Sequence, residues 1–290
     1  MSGLARAVRK VGIVLDMIKF QHSIFALPFA LSSALLAAQG LPSGWQMFWI
    51  LVAMVAARSG AMGLNRLFDA EIDRQNPRTR FWAIPAGLVT KREAGVFSIA
   101  ALGAFVLAAA ALNPLCLLLS PIAVAALVIT PLTKRYTTWT HLFLGLCQFL
   151  APVGAWIAIR GSLTLTPLLL GAAAGFWVAG FDIFYHFQDL EYDKRVGLRS
   201  IPVSFGVRAS LMIVRLFHAI MFLSLISIVA LENLKGAYIV GVLLIGALLL
   251  YEHSLIRPGN LSRLNRAFFA VNGWISMAIL LFTVLDLFLL

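Results

Sequence analysis

Two short windows of the sequence concentrate its acidic residues and carry its clearest chemical signal. They hold seven of the twelve Asp and Glu residues, namely Asp69, Glu71, Asp73, Asp182, Asp189, Glu191 and Asp193. Each window contains a polar residue and two aspartates at four-residue intervals: Asn65-x3-Asp69-x3-Asp73 and Tyr185-x3-Asp189-x3-Asp193. On a helix this interval stacks the side chains on one face. Stacked like charges repel each other, so each pattern predicts a cation between its carboxylates.

The donor atoms that these patterns offer to a cation are mainly carboxylate and amide oxygens. Such oxygens select a hard divalent ion, Mg²⁺ or Mn²⁺, in preference to zinc. Mg²⁺ usually combines one or two carboxylates with the phosphate oxygens of a substrate. Two facing helices with stacked aspartates therefore suit a diphosphate held through bridging Mg²⁺. The alternative for these aspartates is a purely structural network of salt bridges.

Basic residues lie next to both windows and could meet the remaining phosphate charge. They are Arg78, Arg80, Lys134, Arg135, Lys194, Arg195 and Arg199. A role in membrane topology is the alternative for each of them. A diphosphate leaving group at a membrane predicts an isoprenoid diphosphate, because its hydrocarbon tail belongs in the bilayer. Aromatic faces near the windows could stabilise the resulting allylic cation. The aromatic candidates are Phe68, Phe184, Tyr185 and Phe187, for which packing or lipid contact is the alternative.

The composition indicates that membrane-spanning helices position these residues. Apolar residues make up 61% of the 290 residues and charged residues only 12%, whereas soluble proteins carry about 25% charged residues. A soluble domain, a disordered chain and, with two cysteines, a disulfide scaffold are therefore excluded. Nine stretches are long and apolar enough to span a bilayer: 20–39, 45–68, 94–112, 114–132, 138–159, 165–188, 209–230, 236–252 and 268–289. They predict an all-α polytopic membrane protein, a bundle of nine transmembrane helices that forms one domain over 1–290.

The distribution of charge predicts how these helices are oriented. With a cytoplasmic N-terminus, the outer loops contain only Arg160 and Lys235, and the inner loops contain nearly all other loop Lys and Arg residues. This positive-inside bias explains the net charge of +11 without a nucleic-acid partner. It places the two longest loops, about 70–93 and 189–208, in the cytoplasm, with the chain in the inner membrane and the lipid bilayer as its surroundings.

The two aspartate patterns resemble those of the UbiA superfamily of intramembrane prenyltransferases. The resemblance covers about 20–290 and includes several loop segments: Asn76-Pro-Arg78-Thr79, Pro85-Ala-Gly87, 130–137 and 197–202. The chain is most similar to the 4-hydroxybenzoate polyprenyltransferase branch, including a group associated with menaquinone. The resemblance implies a central cavity open to the membrane, bound Mg²⁺, and transfer from a polyprenyl diphosphate to a ring carbon of an aromatic hydroxy acid in respiratory quinone biosynthesis. A hydroxynaphthoate is the alternative acceptor.

The resemblance also assigns roles to individual residues. It implies metal ligation by Asn65, Asp69, Asp73, Asp189 and Asp193. It implies diphosphate binding by Arg78, Lys134, Arg135 and Lys194. Its catalytic candidates are Asp182, Arg135 and Tyr185, of which Asp182 and Arg135 would orient or deprotonate a phenolic acceptor and hold its carboxylate. The roles of two further arginines stay open. Arg80 could replace a loop arginine of the family. Arg58 lies inside a span and could reach the acceptor carboxylate or pair with a carboxylate elsewhere in the bundle.

Rival functions use the same carboxylates differently. A secondary transporter would use them for ions, but its sites belong near the bilayer midplane, often at broken helices. Here both windows adjoin the predicted cytoplasmic loops. A CDP-alcohol phosphotransferase would need an acidic motif that this chain lacks. Prenyl transfer to another acceptor within the same superfamily remains open.

Overall fold

The structure is a computed structural model, and it describes residues 3–19, 25–256 and 270–289. Every regular element within these ranges is a helix. The helices are α1 (Gly3–Met17), α2 (Leu27–Ala38), α3 (Gly44–Phe68), α4 (Ala70–Gln75), α5 (Lys91–Leu112), α6 (Pro114–Thr133), α7 (Thr140–Arg160), α8 (Leu165–His186), α9 (Leu190–Val196), α10 (Ile201–Leu231), α11 (Gly236–Leu255) and α12 (Asn272–Leu289). The predicted all-α class is confirmed.

Eight of the described helices are long and apolar enough to cross a membrane, namely α3, α5, α6, α7, α8, α10, α11 and α12. The ninth apolar helix, α2, has 12 residues. The predicted first span, 20–39, also includes residues 20–24, which lie outside the described residues. The chain is therefore a multi-pass membrane protein with eight span-length helices in the described ranges and one shorter apolar helix.

One helix of the membrane bundle, α10, extends well beyond its predicted boundaries. The predicted span 209–230 lies inside the longer α10, which starts at Ile201 and bends at Gly206. Gly206 has a φ of 74°, a conformation that glycine adopts without steric cost. The two predicted long loops also contain structure, since α4 directly follows α3 and α9 directly follows α8. Both acidic windows therefore continue into short helices.

Side-chain caps explain where several helices begin. Ser43 and Thr90 each form a capping box at the start of α3 and α5. Asn113 caps α6 and is followed by Pro114 at the first helical position. The Asn113 amide also donates to the Ile157 carbonyl of α7 at 2.8 Å, so the cap ties α6 to its neighbour.

Helix α8 lies at the centre of the bundle and is the most buried of the eight span-length helices. It packs mainly against α7 and α10. Its contact with α7 is close: a Cβ added at Gly145 would lie 2.6 Å from the Gly175 carbonyl oxygen, and one at Gly175 would lie 2.8 Å from the Gly145 carbonyl oxygen. Small residues allow this backbone approach in membrane bundles. It brings the start of α7 and the end of α8 into contact, where His141 and Asp182 are hydrogen-bonded.

Candidate active site

The first aspartate pattern crosses the junction between α3 and α4. Asp69 ends α3 with non-helical angles (φ −89°, ψ 0°) and begins α4. Its N–H donates to the Asn65 carbonyl at 3.0 Å, and the Asp73 N–H donates to the Asp69 carbonyl at 2.7 Å. The four-residue hydrogen bonding thus continues through the bend. The predicted stacking is kept, although on two helices rather than one.

The second aspartate pattern crosses the junction between α8 and α9 in a tighter turn. The Asp189 N–H donates to the His186 carbonyl, three residues back, at 3.1 Å. The Asp193 N–H then donates to the Asp189 carbonyl at 2.8 Å. The four-residue register therefore holds between Asp189 and Asp193. Between Tyr185 and Asp189 the turn is tighter than the α-helix that the spacing predicted.

The loop after α4 joins the two aspartate patterns. Arg78 Nε donates to Asp189 Oδ1 at 2.9 Å, and its Nη2 forms a second, shorter contact with Asp189 Oδ2. Its Nη1 donates to the Tyr185 hydroxyl at 2.9 Å. The Asn76 amide donates to Asp189 Oδ1 at 3.1 Å. A planar guanidinium can bind a carboxylate in this two-pronged way, which fixes its position as well as its charge.

The segment after α6 supplies a second positively charged side chain, which contacts the first aspartate pattern. Lys134 Nζ donates to Asp69 Oδ2 at 2.5 Å. Burial raises the pKa of Asp73 and of Asp193, and the charge of Lys134 opposes this rise in both, so it acts on both patterns. Arg135 donates to the Phe68 carbonyl at 2.6 Å and lies 3.8 Å from Asp69 Oδ1. The structure thus brings Lys134, Arg135 and Arg78 to the aspartates.

The pKa values of the aspartates divide them into two kinds. Burial raises the pKa of Asp73 to about 6, with Arg66 opposing this effect and Asp69 adding to it. Burial likewise raises the pKa of Asp193. Burial also opposes ionisation of Asp189, but the hydrogen bond and charge of Arg78 outweigh it and lower its pKa. Asp73 and Asp193 are therefore the carboxylates that gain most from an additional cation.

Two buried carboxylate oxygens in the site lack a hydrogen-bond donor among the described residues. They are Asp69 Oδ1 and Asp73 Oδ2. A buried acceptor without a partner is costly unless a cation or ordered water satisfies it. Oxygen atoms of this kind are the ligands that Mg²⁺ uses. The residues present therefore fit a divalent cation.

An apolar cavity of about 250 Å³ lies between α3, α5, α6 and α7. Its few polar lining residues include Arg58, Asn65, Thr130 and Gln148. Asn65 is the first residue of the first aspartate pattern, so the cavity extends to the start of that pattern. Arg58 Nε is buried and has no hydrogen-bond partner among the described residues. The cavity therefore combines a long apolar wall with an available guanidinium.

Comparison with known proteins agrees with this arrangement. Residues 26–279 match the model of the UbiA prenyltransferase family. The chain belongs to the UbiA prenyltransferase family. It is 30% identical to a 4-hydroxybenzoate octaprenyltransferase of Vibrio parahaemolyticus, over 84% of this chain and 85% of the relative. It is 32% identical to one of Xanthomonas oryzae pv. oryzae, over 84% and 81%.

Solved structures of UbiA homologues share the fold. A UbiA homolog from Aeropyrum pernix K1, in its apo form, aligns with a TM-score of 0.83 and 30% identity over 92% of this chain and 98% of that one. A UbiA homolog from Archaeoglobus fulgidus, bound to DMAPP and Mg²⁺, aligns with a TM-score of 0.69 and 22% identity over 92% and 98%. The resemblance stated from the motifs is thus confirmed for the family and the fold.

Two residues that the UbiA resemblance selected lie partly outside the site. Lys194 makes no described contact with the aspartates, and Arg135 does not line the cavity. Lys194 is exposed on α9 and pairs with Glu191 at 3.2 Å, so no described contact brings it to the aspartates. Arg135 borders a separate surface hollow with Phe68 and Val196 rather than the cavity. The open candidate Arg80 is exposed and lies over the Phe81 ring at 4.7 Å.

The sequence did not predict the side chains that pack behind the first aspartate pattern of this UbiA-family site. The Arg66 guanidinium stacks on the Trp82 ring at 3.6 Å, and its charge acts on Asp73. Arg78 lies over the same ring at 5.4 Å. Trp82 therefore supports two arginines, whereas the neighbouring Phe81 is exposed.

We expect Arg78→Lys to lower kcat about 10²-fold, because lysine keeps the charge but loses the two-pronged contact with Asp189 and the bond to Tyr185. Prenyl transfer in detergent or lipid nanodiscs measures this effect. Arg74→Ala is the control, since Arg74 is an exposed arginine nearby that contacts Glu71 at 3.5 Å. Equal activity of the two variants would contradict a role for Arg78.

Proposed function

We propose that this chain transfers a polyprenyl group from a polyprenyl diphosphate to a ring carbon of a hydroxylated aromatic acid of the 4-hydroxybenzoate type, with Mg²⁺, in respiratory quinone biosynthesis. The observation that carries this proposal is the position of the aspartates: two patterns joined by Arg78 stand at one end of an apolar cavity that Asn65 also lines. The names of the relatives support the same reaction.

The aspartates and their cations bind the leaving group in this proposal. Asn65, Asp69, Asp73, Asp189 and Asp193 hold Mg²⁺, which when bound neutralises charge that develops on the diphosphate. Arg78 and Lys134 donate to the diphosphate from opposite sides, since one contacts Asp189 and the other Asp69. Arg135 adds positive charge at the cytoplasmic edge. Lys194 would donate to the diphosphate only if its ion pair with Glu191 breaks.

The apolar cavity receives the prenyl chain, and α8 supplies groups near the reacting carbon. The cavity wall includes Met54, Leu119 and Leu127, which are suited to a hydrocarbon tail. The Tyr185 ring lies 5.2 Å from the Arg78 guanidinium, so it stands beside the diphosphate position. There its face stabilises an allylic cation as the diphosphate leaves. Asp182, one turn earlier on α8, orients or deprotonates the acceptor.

Arg58 is a better partner for the acceptor carboxylate than Arg135, because Arg58 lines the cavity and its Nε has no hydrogen-bond partner within the described ranges. We expect Arg58→Met to raise KM for the aromatic acid about 10- to 100-fold, the loss expected for one charged hydrogen bond. KM for the prenyl diphosphate should stay nearly constant. Steady-state kinetics with each substrate varied in turn separates the two. A rise confined to the prenyl diphosphate would refute this assignment.

A product assay tests the proposed reaction against its alternatives. Nanodiscs containing the protein receive Mg²⁺, a polyprenyl diphosphate and either 4-hydroxybenzoate or a hydroxynaphthoate, and mass spectrometry detects the product. A prenylated benzoate supports the proposal. A prenylated naphthoate alone would move the step to menaquinone formation, an alternative that the names of the relatives do not favour. Substrate flux across sealed vesicles without a covalent product would support the transporter alternative.

We also propose that the aspartate end of the bundle faces the cytoplasm of a cell with the chain in its inner membrane. The charge distribution requires α2 to cross with the eight longer helices, yet 12 helical residues span only about 18 Å. A reporter fused after Leu290 should therefore lie outside, and one inserted after Gly87 should lie inside. A cytoplasmic reporter at Leu290 would mean that α2 does not cross.

A further inference from the structure

A buried histidine and an aspartate form a close pair beside the site. His141, in the first turn of α7, is fully buried, and its Nδ1 lies 2.8 Å from Asp182 Oδ2 on α8. His186 approaches the same carboxylate oxygen, with its Nδ1 3.5 Å from Asp182 Oδ2. The two imidazole rings meet edge to face at 4.6 Å. Neither histidine has a role in the reaction described so far.

The hydrogen bond between them determines which nitrogen of His141 is basic. A carboxylate only accepts, so Nδ1 of His141 carries the proton and donates it to Asp182. The lone pair then resides on Nε2. That atom is buried and has no hydrogen-bond partner among the described residues. A carboxylate on Nδ1 with a free Nε2 is the arrangement in which histidine acts as a general base in serine hydrolases.

His141 does not itself line the cavity, but it lies one turn before the part of α7 that does. Leu144 and Gln148 follow it at three and seven residues, which are positions on the same helical face. Both of them line the cavity. His141 therefore stands one turn beyond the lined part of α7, towards Lys134 and the aspartates. An acceptor whose ring meets the first carbon of the prenyl chain must lie at this end.

We propose that His141 is the general base of the reaction and that Asp182 is its positioning residue, a role that rests on the proposed function. Nε2 of His141 takes the proton of the acceptor hydroxyl. The carbon–oxygen bond to diphosphate breaks, and diphosphate leaves with that electron pair, so that an allylic cation remains. The oxygen electrons of the acceptor move into the ring, and the ring carbon next to the hydroxyl bonds to the cationic prenyl carbon. The ring carbon then loses its proton to water, and His141 returns its proton to the oxygen.

Asp182 acts through His141 in this proposal. It holds Nδ1–H, keeps the lone pair on Nε2 and stabilises the imidazolium that forms. His186 lies against the same carboxylate and is more exposed, so it keeps Asp182 in place from the solvent side. This division of roles differs from direct deprotonation by Asp182.

The test compares two acceptors that differ in the acidity of the hydroxyl group. The protein in nanodiscs receives Mg²⁺, geranyl diphosphate, and either 4-hydroxybenzoate or its 3-fluoro derivative, whose hydroxyl loses its proton to water more readily. His141→Asn keeps a donor near the Nδ1 position and removes Nε2. We expect it to lower kcat/KM about 10²-fold with 4-hydroxybenzoate and roughly tenfold less with the fluorinated acid. Asp182→Asn should likewise lower kcat/KM less with the fluorinated acid than with 4-hydroxybenzoate.

His218→Asn is the matched control. His218 is also buried and also has an Nε2 without a hydrogen-bond partner among the described residues, but it packs on Gly180 away from the cavity. The His218→Asn variant should leave the ratio of the kcat/KM values for the two acceptors unchanged. Diphosphate binding by each variant checks that the fold is intact.

Two results would overturn the inference. Equal losses with both acceptors in His141→Asn would mean a structural role. A kcat/KM within threefold of wild type, where threefold is roughly 0.7 kcal/mol, would mean that Nε2 is not the general base. Both leave the proposed function standing, because wild type still forms product. A wild type that prenylates neither acid would refute the proposed function, and this role with it.

Discussion

EDTA in excess should abolish prenyl transfer by this protein, and added Mg²⁺ should restore it fully. Asp69 Oδ1 and Asp73 Oδ2 are buried without a hydrogen-bond donor in the part of the chain that the structure describes, and burial raises the pKa of Asp73 and Asp193. Arg78 and Lys134 already engage Asp189 and Asp69, so a diphosphate approaching these carboxylates meets net repulsion unless a divalent ion lies between them. Mass spectrometry of the prenylated acid before chelation, after it and after Mg²⁺ addition measures the effect.

The choice of restoring ion adds a control to the chelation experiment. Mn²⁺ should replace Mg²⁺ because both prefer oxygen ligands. Zn²⁺ should restore little activity, because it prefers nitrogen and sulfur ligands. Full turnover in excess EDTA would show that these aspartates do not work through a metal ion. It would favour the salt-bridge network as their role.

Asp69→Ala should lower turnover about 10³-fold, while the protein still inserts. The substitution removes the oxygen that lacks a donor and the partner of Lys134 together, and each factor of ten corresponds to about 1.4 kcal/mol of transition-state stabilisation. Asp189→Ala should have a similar effect, because it frees Arg78. Single-turnover prenyl transfer at saturating substrate measures the loss directly.

Glu71→Ala is the matched control for Asp69→Ala. Glu71 lies in the same acidic window, but it is exposed and pairs with Lys91 at 2.6 Å and with Arg74 at 3.5 Å. Surface ion pairs contribute little, so this variant should keep nearly full activity. A loss in Glu71→Ala as large as in Asp69→Ala would mean that the window responds to its total charge. Thermal unfolding in detergent shows whether each variant is folded.

Residue spacing and hydropathy predicted much of this fold. The apolar stretches anticipated the helices because a backbone in lipid must satisfy its own hydrogen bonds. They gave poorer boundaries where a glycine bends a continuous helix, as at Gly206 in α10. Local composition also missed α4 and α9, because short polar helices outside the bilayer have no hydropathy signal. These two helices carry Asp73 and Asp193.

The site was predicted where local spacing determines it and missed where tertiary contacts do. The stacked aspartates follow from a four-residue interval, and Lys134 and Arg78 follow from the motifs. The pairing of Lys194 with Glu191 depends on which way one exposed side chain of α9 points. His141 and Asp182 are 41 residues apart and meet only because α7 and α8 approach closely. No regular spacing in the sequence therefore links His141 to Asp182.

The contacts between the two loops also bear on how the protein is made. Asn76 and Asp189 are 113 residues apart, yet one hydrogen bond joins them, and the Tyr192 hydroxyl donates to the Ile72 carbonyl at 2.7 Å. A ribosome-bound chain that has inserted only the helices before α8 therefore carries Asn76 and Arg78 without their partner Asp189. Competence for substrate must arise late in biogenesis, once α8 has entered the bilayer and its carboxyl end meets the earlier loop. Two separately synthesised halves should regain activity only when both reach the same membrane.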